Sequence, residues 1–253
     1  MNVIWLLRKR NRKFSSINMK RIFKKLLLGS NTKTKSAISP IQKRINNINS
    51  IWHNHHQDDN GIEKIIRLIL STSQLFFPGI YIKQLASKKG HEYQELYLDI
   101  YVLLKVVFPI IILSNNWLIY NWLVFTMVYL LLETVLYVPT LIFASDSFSR
   151  PRSYKRSMML LFLNYLEIIF AYGVLYSLGN YLNKPFLHWF DAIYFSTITS
   201  SSIGYGDYFP ATTWGKFLVS TQAFLFLFFI VLFLNFFTTN IKSRGYFDHE
   251  NKD

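Results

Sequence analysis

The sequence predicts an all-α membrane protein, and three observations carry that reading. The chain is 51% hydrophobic and 18% aromatic, more than an ordinary soluble domain carries. Four segments, 98–113, 117–144, 157–178 and 215–239, approach or exceed the ~20 apolar residues that cross a hydrocarbon core about 30 Å thick. The basic residues are also distributed unevenly about those segments: 18 of the 28 Lys and Arg precede residue 97, against five acids. Arg150, Arg152, Lys155 and Arg156 follow the second span and Lys242 and Arg244 the last, whereas Ser114, Asn115 and Asn116 after the first are uncharged. By the positive-inside bias, both termini and the 150–156 loop are expected in the cytoplasm and residues 181–186 outside. The expected location is the cell (inner or plasma) membrane, as a multi-pass protein.

Residues 1–96 form a basic N-terminal region. The first 52 residues hold 13 basic side chains and no acidic one. Within them, Lys20, Arg21, Lys24 and Lys25 alternate with Ile22, Phe23, Leu26, Leu27 and Leu28. On a helix this gives one basic and one apolar face, suited to an anionic leaflet, while the plain alternative is a solvated tail. Nucleic acid is not expected, because the region has no stacking platform or recognisable nucleic-acid fold. The run His53, His55, His56, Asp58, Asp59 matches no structural zinc spacing and reads as a solvated loop. Residues 65–82 are apolar but interrupted by Arg67 and by Pro78-Gly79. Taken as a fifth span they would put the basic N-terminus outside, so they are predicted as one or two interfacial helices beneath the bundle. Residues 1–7 are too short an apolar run for a signal peptide, and the absence of cysteine removes disulfides and thiolate metal sites.

Residues 97–155 are predicted to form two transmembrane helices and a cytoplasmic loop. The first span is the weakest, being short and interrupted by Asp99, Lys105 and Pro109. Lys105, Glu133 and Glu167 all fall inside spans, Lys105 about 11 Å and each Glu about 16 Å from the inner helix end at 1.5 Å per residue. An isolated charge at that depth is costly, so a Lys105–Glu133 or Lys105–Glu167 pair is expected. The alternative is a snorkelling lysine with protonated or water-exposed acids. No row of Arg or Lys at three-residue spacing occurs in these helices, which argues against voltage sensing of the usual kind.

Between the last two spans the chain reads Asp191-Ala-Ile-Tyr-Phe-Ser-Thr-Ile-Thr-Ser-Ser-Ser-Ile-Gly-Tyr-Gly-Asp-Tyr-Phe-Pro210. This stretch resembles the pore loop of tetrameric potassium channels, whose pattern runs Asp-Ala-Leu-Tyr-Phe-Ser, then Thr-x-Thr-Thr-Val-Gly-Tyr-Gly-Asp, then Pro three residues on. The resemblance implies that residues 156–240 form a pore domain of outer helix, pore helix, filter and inner helix, followed by a short tail, 241–253. It implies that the carbonyls of Ser202, Ile203, Gly204 and Tyr205, with the Ser202 hydroxyl, bind K+, and that Gly204 and Gly206 give the backbone its freedom. Ser202 stands where the family usually has Thr, and Ile203 where it has Val. Asp207 is expected behind the outer mouth, Tyr205 turned from the axis, and Tyr194 and Phe195, with Trp189 and Phe190, in an aromatic cuff. Ile198 occupies the position where some members place a carboxylate.

On the inner helix, Leu227, Ile230 and Leu234 are the candidates for cavity and gate, and no glycine falls between Gly215 and Gly245 to act as a hinge. Few residues follow 239, so a large C-terminal ligand-gating domain is not expected. The reading is a non-enzymatic potassium channel subunit that needs three further copies of itself and no cofactor beyond the permeant ion. The alternatives are a non-conducting regulatory or scaffold subunit, and a potassium-uptake transporter component; the latter carries four degenerate pore repeats, whereas Gly-Tyr-Gly occurs once here.

Overall fold

A computed structural model describes residues 39–54, 60–89, 91–144 and 154–243. The 19–29 segment, residues 55–59, Arg150, Arg152 and Arg244 lie outside the described residues. The described chain is all-helical: α1 (Pro40–Trp52), α2 (Gly61–Ser73), α3 (Pro78–Lys89), α4 (His91–Ser114), α5 (Asn121–Phe143), α6 (Tyr154–Ser177), α7 (Trp189–Ser200) and α8 (Thr213–Ser243). Four of these hold candidate membrane spans, Tyr93–Ser114, Asn121–Phe143, Lys155–Ser177 and Thr213–Asn235. The chain is an all-α membrane protein.

The first span is longer than composition suggests, because Asp99 does not interrupt it. The Arg156 guanidinium at the start of α6 holds the Asp99 carboxylate at 2.7 and 3.3 Å and also donates to the Glu95 carbonyl at 2.9 Å. A forked, charge-assisted contact of this kind lets an acid sit at the end of an apolar helix. The second span is shorter than predicted at its start. Trp117–Ile119 form a separate 3-10 turn, entered through Asn116 in the left-handed region at φ 57°.

Of the four spans, α6 is the most buried. It packs against α4, α5, α7 and α8 and so is the main link between the leading spans and the rest of the bundle, beside smaller contacts of α5 with α8 and of α4 with α7. The core it anchors joins Ile112, Met127 and Leu131 from the leading spans to Ile168 and Val174, and then to Phe195, Ile198 and Phe229.

The segment predicted beneath the bundle is placed higher. Helices α2 and α3 meet at a bend of 57°. The turn between them is held against the side of α5: the Tyr129 hydroxyl donates to the Phe76 carbonyl, the Phe77 and Tyr129 rings lie 5.4 Å apart, and the Gly79 amide donates to Glu133 at 3.1 Å. Glu133 is ten residues from the end of α5, so the turn sits about 15 Å up the bundle. The periodicity of α2 fits that depth, since Arg67, Leu70 and Ser71 are buried while Ile62, Ile65 and Ile69 face outward. Polar groups inside and isoleucines outside invert the pattern of a helix that faces water.

Candidate functional site

The site begins at the start of α7. His188 Nδ1 accepts from the Phe190 amide at 3.2 Å, and Asp191 Oδ2 accepts from the amides of Leu187 and His188 at 3.0 and 2.9 Å. Together they satisfy amides that a helix start leaves unpaired, with a carboxylate at the positive end of the helix dipole. The helix is set into the bundle on one side only. Ala192, Ile193, Phe195, Ser196, Ile198 and Ser200 are buried. Phe195 packs edge-on to Tyr176 at 4.8 Å, whereas Trp189 and Phe190 are exposed, so the expected aromatic cuff is divided between core and surface.

Beyond Ser200 the chain turns back along its own helix. The Ile198 carbonyl accepts from the amides of Ile203 and Gly204 at 3.0 and 3.4 Å, and the Thr199 carbonyl from Ser202 at 3.1 Å. From there to Asp207 every residue is exposed. The φ angles at Ser202, Gly204 and Gly206 are 57°, 54° and 83°, whereas Ile203 and Tyr205 do not have positive φ. Alternation in the sign of φ turns successive carbonyls to the same side of a strand, where uniform extended backbone would point them alternately to either side. Glycine adopts positive φ without a Cβ penalty, so two of the three positions carry no strain. Ser202 reaches the same conformation as a non-glycine residue.

The returning limb is clasped by the loop after α6. Asn183 exchanges backbone and side-chain hydrogen bonds with Phe209, each 3.0 Å, and the Tyr181 carbonyl accepts from the Ala211 amide at 2.9 Å. Asp207 lies against the Tyr194 hydroxyl on α7, and the Tyr208 hydroxyl donates to Asp191 at 3.3 Å. The Lys184 ammonium stands 4.5 Å from the centre of the Tyr208 ring.

A second set of contacts, not anticipated from the sequence, fixes α7 from behind. Gln222 of α8 donates to the Ser196 hydroxyl and carbonyl at 2.8 and 3.0 Å and accepts from the Tyr176 hydroxyl at 2.7 Å. Ser196 in turn donates to the Ile169 carbonyl at 2.6 Å, and Ser200 pairs with the Tyr165 hydroxyl at 2.8 Å. Three helices thus meet at one buried amide. The available signal was a lone glutamine within an apolar span, where an unsatisfied polar group is expensive.

On α8 the residues Phe224, Leu227, Val231 and Leu234 are exposed and recur at spacings of three and four, so they share one face. Ile230, predicted to join Leu227 and Leu234, is half-buried, and Val231 stands in its place on that face.

The three intramembrane charges converge. Lys105 Nζ lies 3.2 Å from Glu167 and 3.7 Å from Glu133, and donates to the Thr134 hydroxyl, which bonds Glu167 at 2.8 Å. Glu133 also accepts from the Tyr101 hydroxyl and the Gly79 amide. One ammonium therefore ties α4, α5 and α6 together, and Glu133 carries the link on to the first turn of α3. No group of His, Cys, Asp and Glu suited to a metal ion occurs among the described residues.

The model of an ion-channel family matches residues 159–243, which takes in most of α6 and all of α7 and α8. The match stops short of the two leading spans, and it supports an ion channel rather than an enzyme. No curated protein and no solved structure matches the chain.

Proposed function

We propose that this chain is one subunit of a homotetrameric, potassium-selective channel that conducts passively through a ring formed by residues 202–206. The observation that carries the reading is the alternation of φ through Ser202–Gly206, in a segment left exposed by its own subunit. Four such segments about an axis would stack rings of carbonyl oxygens able to replace the hydration shell of K+. The exposed apolar face of α8 gives a second reason for assembly, because a channel's inner helices cover such faces with one another and with the cavity. In the tetramer the negative end of α7 would aim at the central cavity, which favours a cation there.

In this reading the Ser202 hydroxyl contributes the innermost ring, and Leu227 and Leu234 line the cavity. Both termini face the cytoplasm, where the basic N-terminal region meets an anionic leaflet. Flux from protein reconstituted in liposomes, with K+ and Na+ compared, tests the proposal. Gly204→Ala and Gly206→Ala each force a Cβ into positive φ and should abolish or degrade selectivity. Ser202→Ala should weaken the inner site with the fold intact. Unchanged K+ over Na+ permeation in all three, or native mass spectra showing only monomers and dimers, would overturn it.

A further inference from the structure

An open apolar groove of about 470 Å³ lies between α3 and the place where the turn before it is held against α5, lined by Phe76, Pro78, Tyr81, Ile82, Leu85 and Tyr129. Its two tyrosines contribute ring surface only, because their hydroxyls are already spent on the turn: Tyr81 donates to the Leu75 carbonyl at 2.7 Å and Tyr129 to that of Phe76. Phe76, Tyr81 and Leu85 are each more than half exposed. Phe125 and Leu132 share the Tyr129 face of α5 and are also exposed, so the groove runs into an apolar surface on a membrane span. Hydrocarbon is the chemistry that fits it.

The groove also has a polar end. Lys88 is exposed and stands seven residues after Tyr81, hence almost directly below it along α3. The same end of the bundle carries Glu95, Asp99, Lys155 and Arg156, which marks it as the aqueous boundary. From Lys88 up to Pro78 is ten residues, or about 15 Å, which is half of a hydrocarbon core about 30 Å thick and so the depth of one leaflet. We propose that this groove binds one anionic phospholipid, its phosphate against Lys88 and one acyl chain along Leu85 and Tyr81 up to Phe76 and Tyr129. The chain end would then press on the turn that delivers the Gly79 amide to Glu133, so that occupancy braces the contact between the N-terminal helices and the buried charges. The inference depends on the membrane bundle alone and is independent of ion selectivity.

The full chain in phosphatidylcholine vesicles carrying a trace of phosphatidylglycerol with an acyl-chain photolabel tests it, with adducts mapped by peptide mass spectrometry. Adducts should concentrate on Tyr81, Leu85 and Tyr129 relative to Leu103 and Leu104, which are similarly exposed on α4. Lys88→Glu should lower groove labelling at least about fivefold, the weight of one basic residue near an anionic leaflet, and leave Leu103 and Leu104 unchanged. Leu85→Trp should block the groove outright. Equal labelling of groove and reference face, or equal yields from anionic and zwitterionic photolabels in wild type and Lys88→Glu, would overturn the proposal. The chain has no cysteine, so disulfide formation between copies of Leu85→Cys without lipid adducts would assign the groove to a second subunit instead.

Discussion

Lys105→Met should be among the most damaging single substitutions in the leading spans, and its rescue should be one-sided. Lys105 and Glu167 have side chains only 4% and 3% exposed, and Glu133 15%. Coulomb attraction at an effective dielectric of about 20 is roughly 5 kcal/mol for either acid, since 3.2 and 3.7 Å differ little. Distance therefore does not decide which acid suffers; the remaining donors do. Without the ammonium, Glu133 keeps the Tyr101 hydroxyl and the Gly79 amide, while Glu167 keeps only the Thr134 hydroxyl. Orphaning a buried charge costs about 3–5 kcal/mol, and most of that loss should fall on Glu167. Glu167→Gln in the Lys105→Met background should recover all but about 1–2 kcal/mol, the scale of an imperfectly satisfied buried amide. Glu133→Gln should recover less than about 1 kcal/mol, because its charge remains hydrogen-bonded and partly exposed. Unfolding in mixed micelles, run as two double-mutant cycles, measures both. Additivity within about 0.5 kcal/mol at Glu167, or a larger rescue at Glu133, would refute the assignment.

Three further outcomes follow from single contacts. Gln222→Leu should cost roughly 1–3 kcal/mol by stranding the Tyr176 hydroxyl, and should shorten the lifetime of ion flux by loosening α7; unchanged thermal stability would show those bonds to be dispensable. A Cβ at Gly79 would collide with the Glu133 carboxylate, so Gly79→Ala should destabilise the chain, with partial recovery when Glu133→Ala supplies the space. Equal instability with and without Glu133 would place the fault elsewhere. Lys83 lies within electrostatic reach of Arg44, Lys43 and Arg156, so Lys83→Met should relieve like-charge repulsion and raise the melting temperature, by an amount that shrinks as salt is added; a loss of stability, or a gain independent of ionic strength, would contradict it.

The four spans and the positive φ at Gly204 and Gly206 were legible because both are local properties of the chain. A hydrocarbon core demands about 20 consecutive apolar residues, and positive φ favours glycine, so each leaves its mark within a short window. The three buried charges were legible as a problem, since a lysine and two glutamates in spans call for partners. The sequence left two pairings open. Only tertiary structure showed Lys105 within reach of both acids, because that depends on the azimuth at which α4, α5 and α6 face one another. Ile230 and Val231 show the same limit: adjacent residues on one helix differ by about 100° of azimuth, and only the neighbouring helices decide which of them is covered. Gln222 followed Ser220 and Thr221 in an otherwise apolar stretch, with nothing local to tie it to Ser196 and Tyr176. The α2–α3 segment differed most from its reading. Arg67 and the Pro78-Gly79 break read as too polar to enter the bundle, but Arg67 is buried against neighbouring helices and Gly79 supplies the close approach to Glu133. The cost of burying a polar group is set by the partner it finds, and partners more than fifty residues away are chosen by the fold.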